Sequence, residues 1–258
     1  MDRYKGKEET EMRILSWNGQ GLGDDSKNTL VYNMLLDCAA DFVCIQETKL
    51  REVTKFKAAK FLPPIYTGLA VQPSEGASAG LLIAWNKKKY DGVVTEQSKH
   101  HITLAVSSTS SDEQFQITNI YAPCDSNLRT EFFGELRQLK QAITGKWMLV
   151  GDFNIYRYSY EKNNENVNWT AMSEFNDWIN EMEMMDIEVA NRLYTWTNKR
   201  RQPTLVRLDR VLINLLWSQF YINTECRALV KPTSDHTPLQ IDTSQGTPRR
   251  KIFRYENS

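Results

Sequence analysis

Short apolar runs punctuate the chain at 13–17, 42–46, 80–85, 102–106, 115–121 and 147–150. Each is rich in β-branched or aromatic residues and bounded by Gly, Asn, Asp or Pro, which predicts strands. Between them, apolar residues recur at helical spacing in three places. Leu30, Val31, Met34, Leu35 and Cys38 form one stripe; Leu128, Phe132, Leu136, Leu139 and Ile143 form a second, with Ser126 or Asn127 as its N-cap. Met172, Phe175, Ile179 and Met182 form the third. These stripes are core positions. Late in the chain, LYTWTNKRRQPTLVRLDRVLI reads as two strands joined by a polar loop, Asn198 to Pro203. Strands mixed with helices predict an α/β protein in which two sheets pack face to face with helices outside.

Several of these strands end on groups that carry chemistry. The strand from Trp147 stops at GDFN, Gly151 to Asn154, and the period-2 rule points Asp152 and Asn154 the same way at its end. ILSWN ends on Asn18, DFVCIQETK presents Glu47, and NIYAP holds Tyr121. Near the C-terminus, SDH (Ser234 to His236) sets an aspartate beside one of only three histidines. A carboxylate behind a buried strand is expensive unless a cation or donors meet it, which marks Glu47 as a metal ligand. Mg²⁺, with Mn²⁺ as an alternative, suits one or two carboxylates completed by waters and substrate oxygens. Asp152 can orient or deprotonate a water, and Asn154 can hold that water or the oxygens of a pentacovalent phosphorus. His236 can donate to the scissile phosphate, with Asp235 expected to fix its tautomer. The set suits phosphodiester hydrolysis. His100 and His101 are expected at the surface, and GQGLG lacks the spacing of a dinucleotide loop and reads as a plain turn.

Composition narrows the class. With 258 residues and 41% hydrophobic content the chain can build one large core. Equal numbers of cations and anions, 32 each, argue against a protein that coats phosphate indiscriminately. The four cysteines form no CxxC pair and read as free thiols, with Cys38 and Cys44 in buried patterns. NWT at Asn168 fits a glycosylation pattern only by coincidence, because Met1 to Glu11 holds no apolar signal segment. A leader over 1–11, one domain over 12–243 and a linker over 244–258 are expected, in an intracellular protein without a membrane partner.

WN, QE, GDFN and SDH, in that order and spacing, resemble the endonuclease/exonuclease/phosphatase superfamily over roughly residues 12 to 243. The resemblance implies a four-layer α/β sandwich. It also implies phosphate- or metal-side roles for Asn18 and Tyr121, and a place for Asp209, in VRLDR, beside the metal and the catalytic histidine.

Departures from the superfamily's branches narrow it further. Abasic-site enzymes carry WNVDGLR and WRLDY; this chain has WNGQGLG and VRLDR, so Gln20 replaces a carboxylate and Val206 a pocket-lining tryptophan. Abasic-site cleavage, and small-molecule or lipid phosphatase activity, are therefore the alternatives. SWNGQGLG, IQETK, GDFN, the late hairpin, SDHTPL and the closing FRYEN resemble the endonuclease domain of a plant LINE-type (non-LTR) retrotransposon polyprotein. That resemblance implies nicking of one strand of double-stranded DNA in the nucleus. The resulting 3′-hydroxyl primes reverse transcription by a downstream reverse transcriptase domain, with element RNA involved only indirectly. In such enzymes the late hairpin probes DNA, which assigns Lys199, Arg200 and Arg201 at its tip to a narrow minor groove. Thr195 and Lys162 fall where the family places phosphate contacts.

Overall fold

The computed structural model describes residues 11–75, 79–230 and 233–245. The leader before residue 11, the basic Arg249–Lys251 stretch and FRYEN lie outside the described residues.

In chain order the elements are β1 (Met12–Asn18), α1 (Asp25–Cys38), β2 (Phe42–Gln46), α2 (Lys55–Ala58), β3 (Gly68–Gln72), β4 (Leu81–Trp85), β5 (Tyr90–Gln97), β6 (His101–Ser108) and β7 (Gln114–Tyr121). There follow α3 (Ser126–Ala142), β8 (Trp147–Asp152), a 3-10 turn (Ser159–Glu161), α4 (Trp169–Glu181), β9 (Met185–Asp186), β10 (Trp196–Thr197), β11 (Leu205–Val206), β12 (Asp209–Ile213), α5 (Leu215–Phe220), β13 (Glu225–Ala228) and β14 (Leu239–Thr243).

These strands make two mixed six-stranded sheets, ordered β13-β14-β1-β2-β4-β3 and β5-β6-β7-β8-β12-β9, while β10 and β11 pair as a separate ribbon. The sheets meet through Ile14, Phe42, Cys44 and Ile83 on one side and Leu104, Ile117, Val150 and Val211 on the other, all buried. Val31 and Leu35 of α1 and Phe61 after α2 cover the outer face of the first sheet, against Leu15, Val43 and Ile45. Phe132, Phe133 and Leu136 of α3 and Phe175, Trp178 and Ile179 of α4 cover the second, against Trp147, Leu149 and Leu212. Helix, sheet, sheet, helix is the four-layer α/β sandwich, each layer held by apolar burial worth about 1.5–3 kcal/mol per large side chain.

The helices begin ahead of their apolar stripes, α1 at Asp25 before Leu30 and α4 at Trp169 before Met172. Asp125, not Ser126 or Asn127, caps α3 by accepting from the Asn127 N–H at 2.8 Å. Asn168 caps α4 by accepting from the Ala171 N–H at 3.1 Å, a structural use for the residue of the NWT triplet. Leu30 and Leu128, placed in the stripes by spacing, lie on exposed flanks of their helices. The edge strand β5 escapes the sequence pattern because its burial falls away after Tyr90, leaving Val93 and Val94 outward.

Parallel pairing puts the chemistry at one edge of the sandwich. β1 runs parallel to β2, aligning Asn18 with Gln46; β7 runs parallel to β8, aligning Tyr121 with Asp152. β12 is antiparallel to β8 and begins there, with Asp209 opposite Asp152. Between the sheets, just below this edge, the buried Gln46 donates to the Asn119 side-chain oxygen at 2.6 Å. The Asn119 amide in turn donates to the Ile45 and Leu82 carbonyls. This polar bolt fixes the two halves of the site relative to each other.

Candidate active site

Asp152, Asp209 and His236 converge at that edge, all buried, with their ligand atoms within 4.8 Å of one another. His236 Nδ1 lies 2.9 Å from Asp209 Oδ2 and 3.1 Å from Oδ1, while Nε2 lies 3.6 Å from Asp152 Oδ2. The geometry fixes the tautomer: Nδ1–H donates to Asp209, leaving Nε2 beside Asp152. This corrects the expectation for Asp235. Its carboxylate accepts instead from Gln20 Nε2 and Trp196 Nε1, each at 3.1 Å, because the loop turns it away from the imidazole. Burial opposes a charged imidazole, but Asp209 and then Asp152 outweigh it and raise His236 to about 9. Burial raises Asp152 to about 6, with His236 opposing and Asp209 adding to the shift.

Asp152 is held from two sides. Asn18 Nδ2 donates to its Oδ2 at 2.9 Å and the Asn154 N–H donates to its Oδ1 at 2.9 Å. Asn154 does not share the strand's alternation: β8 ends at Asp152, and Asn154 sits in the left-handed region at φ 52°. Its amide donates to the Ala122 carbonyl at 2.7 Å. Gly151 has its own reason to be glycine, since at φ +142° a Cβ would lie 2.1 Å from the Ile120 carbonyl oxygen of β7. Tyr121 ends β7 with its phenol pushed up by burial and, next, by Glu47 and Asp152.

Glu47 also sits in the left-handed region, at φ 52°, and its carboxylate pairs with Lys49 at 3.0 Å. Backbone bonds pin that turn: the Gly21 N–H donates to the Glu47 carbonyl at 2.7 Å and the Thr48 N–H to the Gly80 carbonyl at 3.0 Å. A strained residue over-determined in this way is a common device where a side chain must be aimed. The donor chemistry fits a hard divalent ion: Glu47 offers a partly exposed carboxylate and Asn18 an amide oxygen, which already accepts from the Gln20 N–H at 3.0 Å. The Asp152–His236–Asp209 cluster fits an ion less well, because its histidine proton already bridges to a carboxylate.

The SDH loop is fastened to β1. Ser234 Oγ donates to the Asn18 carbonyl at 2.8 Å and accepts from the His236 N–H at 3.0 Å, and Trp17 Nε1 donates to the His236 carbonyl at 3.3 Å. Residues 235–237 then pair with β10: the Thr197 N–H donates to the Asp235 carbonyl at 3.1 Å and the Thr237 N–H to the Thr195 carbonyl at 2.8 Å. On the other side of the ribbon, Lys162 bridges Val206 and Asn163 bonds to Leu205.

The predicted contacts around this ribbon divide. Thr195 is fully buried, and its hydroxyl accepts from the Leu208 and Asp209 N–H groups at 3.1 and 3.0 Å. That corrects its assignment to phosphate: it shapes the turn into Asp209. Lys162 is half-buried, its ammonium on the Asn166 carbonyl and near the Tyr156 ring. Lys199 stands at the tip in the left-handed region with its ammonium 3.2 Å from the Thr233 carbonyl; Arg200 and Arg201 are exposed beside it. Lys27 of α1 shares this rim, bonding the Gln20 carbonyl at 3.2 Å, and burial followed by Lys199 and Lys49 lowers its pKa. His101 is buried, which corrects its expected place at the surface, and His100 is half-buried with Nδ1 3.0 Å from the Tyr121 carbonyl.

Sequence patterns gave no sign of a buried ionic network behind the site. Glu161, Arg210 and Asp186 are joined by Arg207 and Arg157; Glu161 and Arg210 are fully inaccessible.

The chain matches the Endonuclease/Exonuclease/phosphatase family over residues 15–236. No curated protein matches it. Among solved structures it superposes on the AP endonuclease LMAP from Leishmania major with a TM-score of 0.74, at 15% identity, covering 92% of this chain and 88% of that one. The endonuclease domain of TRAS1, a telomere-specific non-LTR retrotransposon, gives 0.68 at 12% identity, covering 90% and 98%. The 3′ phosphatase NExo from Neisseria, bound to product DNA hairpin, gives 0.66 at 17% identity, covering 90% and 99%. Among the described residues, no helix is long and apolar enough to cross a membrane.

Proposed function

The chain belongs to the Endonuclease/Exonuclease/phosphatase family, and from that premise we propose a Mg²⁺-dependent endonuclease that nicks one strand of duplex DNA and leaves a 3′-hydroxyl. One observation carries the choice of substrate. A ribbon tipped by Lys199, Arg200 and Arg201 is hydrogen-bonded, through β10, to the segment that holds His236. A cationic finger built onto the catalytic loop suits a long polyanion better than a small ester.

Asp152, once ionised, takes a proton from water, with Asn18 and the Asn154 N–H holding its two oxygens in place. His236, kept protonated by Asp209, donates from Nε2 to a non-bridging phosphate oxygen as charge builds there. Tyr121 lines the same edge. A divalent ion held by Glu47 and the Asn18 oxygen would supply Lewis-acid stabilisation of the phosphate and the departing oxygen. In a retrotransposon the released 3′-hydroxyl would prime the reverse transcriptase of the same polyprotein, acting on chromosomal DNA in the nucleus. The likeness to the TRAS1 domain supports that setting.

Supercoiled plasmid should become nicked circle with Mg²⁺, more slowly or similarly with Mn²⁺, and stay intact with EDTA. An intact duplex should serve as well as one with an abasic site, since Gln20 is engaged by Asp235 and Val206 is buried in the ribbon. Cleavage of abasic duplex orders of magnitude faster would turn the reading to repair, and phosphate release from small esters without nicking would turn it to a phosphatase.

Replacing Lys199, Arg200 and Arg201 together by alanine should move nick positions more than it slows hydrolysis at a bound site. Three phosphate contacts would contribute a slope of about −0.9 each in log K against log salt, so the slope should flatten by up to roughly 2.7. Arg200 and Arg201 alone would account for about 1.8, because the Lys199 ammonium must first leave the Thr233 carbonyl. Nick mapping on one long duplex at two salt concentrations checks both; an unchanged pattern and slope would make the tip an ordinary solvated turn.

A further inference from the structure

The Asp235 carboxylate is the meeting point of three elements. One of its oxygens, Oδ2, accepts from Gln20 Nε2 in the β1–α1 turn and from Trp196 Nε1 in β10, both at 3.1 Å. The other is 3.4 Å from the Ser234 hydroxyl. The Asp235 carbonyl accepts from the Thr197 N–H at 3.1 Å, and Trp196 and His236 face each other as an antiparallel bridge. The catalytic histidine is therefore a strand neighbour of the ribbon, one residue from a side-chain clasp on it. Trp196 is half-buried, and its ring centroid lies 6.5 Å from that of His236.

We propose that Trp196 is a positioning residue for His236: its indole N–H, with the Gln20 amide as second arm, holds Asp235 and so sets where His236 Nε2 points. The inference rests on the phosphodiesterase reading of the site and deepens it by naming how the ribbon is coupled to the chemistry. Without the indole N–H the Asp235 carboxylate is held by one arm fewer and can turn about its side-chain bonds toward the adjacent imidazole. Turning the carboxylate toward the imidazole would compete with Asp209 for Nδ1–H. Misplacing a catalytic donor by about 1 Å can cost on the order of 10²-fold in rate without touching substrate affinity. A ribbon bound in a groove would thus report to the histidine through one indole hydrogen bond.

Trp196→Phe keeps an aromatic ring against His236 and removes the N–H. Its single-turnover nicking of prebound duplex should fall about 10- to 100-fold, while Kd for the same duplex in EDTA stays within about twofold. Gln20→Met, at a solvent-facing turn, should produce a smaller loss of the same kind and serves if the Phe variant does not fold. A Trp196→Phe or Gln20→Met enzyme with an unchanged bound-state rate, or one whose rate and affinity fall together, would overturn the proposal. A second readout does not depend on turnover. In protein labelled with ¹⁵N-histidine, the His236 Nδ1–H signal, assigned by its loss in His236→Ala, should shift or broaden in Trp196→Phe. An unmoved signal would also overturn it. Wild-type protein that nicks no duplex would sink the endonuclease reading, and the imidazole signal would still decide the role of Trp196.

Discussion

His236→Ala should lower nicking on the order of 10³-fold or more with DNA binding and fold retained. The imidazole is the one group at the site that pairs a donor facing the cleft edge with a buried carboxylate behind it, 2.9 Å from Nδ1. Single preorganised donors are worth about 10²–10³ in rate, and the loss here also removes the cation that balances Asp152 and Asp209. Asp209→Asn should cost nearly as much, because an amide can satisfy Nδ1 in either tautomer and no longer favours the imidazolium. The pH dependence follows with a definite sign. Nicking needs Asp152 ionised and His236 protonated, so the rate should fall below about 6 as Asp152 gains its proton and above about 9 as His236 loses its own. The divalent ion favours ionised Asp152 and disfavours the imidazolium 3.6 Å away, so raising Mg²⁺ should move both limbs downward. A residual rate above about a tenth of wild type in His236→Ala, or an alkaline limb that stays near 9 in Asp209→Asn, would remove the dyad from the mechanism.

The residues at strand ends were legible in the sequence because a buried apolar run that stops on Asp, Asn or Glu is unusual enough to mark a site. Glu47 and Asp152 stand out in this way; His236 lies in a loop ahead of β14 and stands out instead as one of three histidines, set beside an aspartate. What those residues do to each other was not legible. Asp235 is adjacent to His236 in sequence, yet alternation along the pairing with β10 turns it to Trp196 and Gln20, and the histidine's partner comes from β12 instead. Thr195 fell in a position that suggests phosphate, but full burial commits its hydroxyl to two backbone N–H groups. Period-2 alternation makes Asn154 the second tooth of a strand, whereas the strand ends at Asp152. For Asp235 and Thr195 tertiary pairing decides the direction; for Asn154 the left-handed turn after β8 does. The strands missed, such as β5 and the two-residue β9, lie at sheet edges, where only one side of the ladder is covered and the apolar signal is weak.

Glu161→Gln is expected to cost the fold about 3–5 kcal/mol, the loss typical when one partner is removed from a buried ion pair. Glu161 accepts from both terminal nitrogens of Arg210, from Arg207 Nη1 at 3.2 Å and from the Arg157 N–H at 2.7 Å. Asp186 then remains as the one carboxylate among three guanidinium groups, with contacts to Arg210 at 2.6 Å, Arg207 at 2.9 Å and Arg157 at 3.3 Å. A domain whose total stability is about 5–15 kcal/mol has little margin for that. The network also bears on function, since Arg210 lies opposite Gly151 in the β12–β8 register, one step from the Asp209–Asp152 pair, and Arg207 leads out of the ribbon. Urea unfolding should show a lowered midpoint with the slope unchanged. Replacing Glu161 and Arg210 together by Leu and Met should recover stability relative to the single variant, because an apolar pair of similar volume carries no stranded charge. Nicking should not recover with it, because the fork that holds β12 against the 3-10 turn is gone. A double variant as active as wild type would confine the network to stability alone, and a single variant as stable as wild type would mean that Arg210 reaches solvent or another anion once Glu161 is neutral.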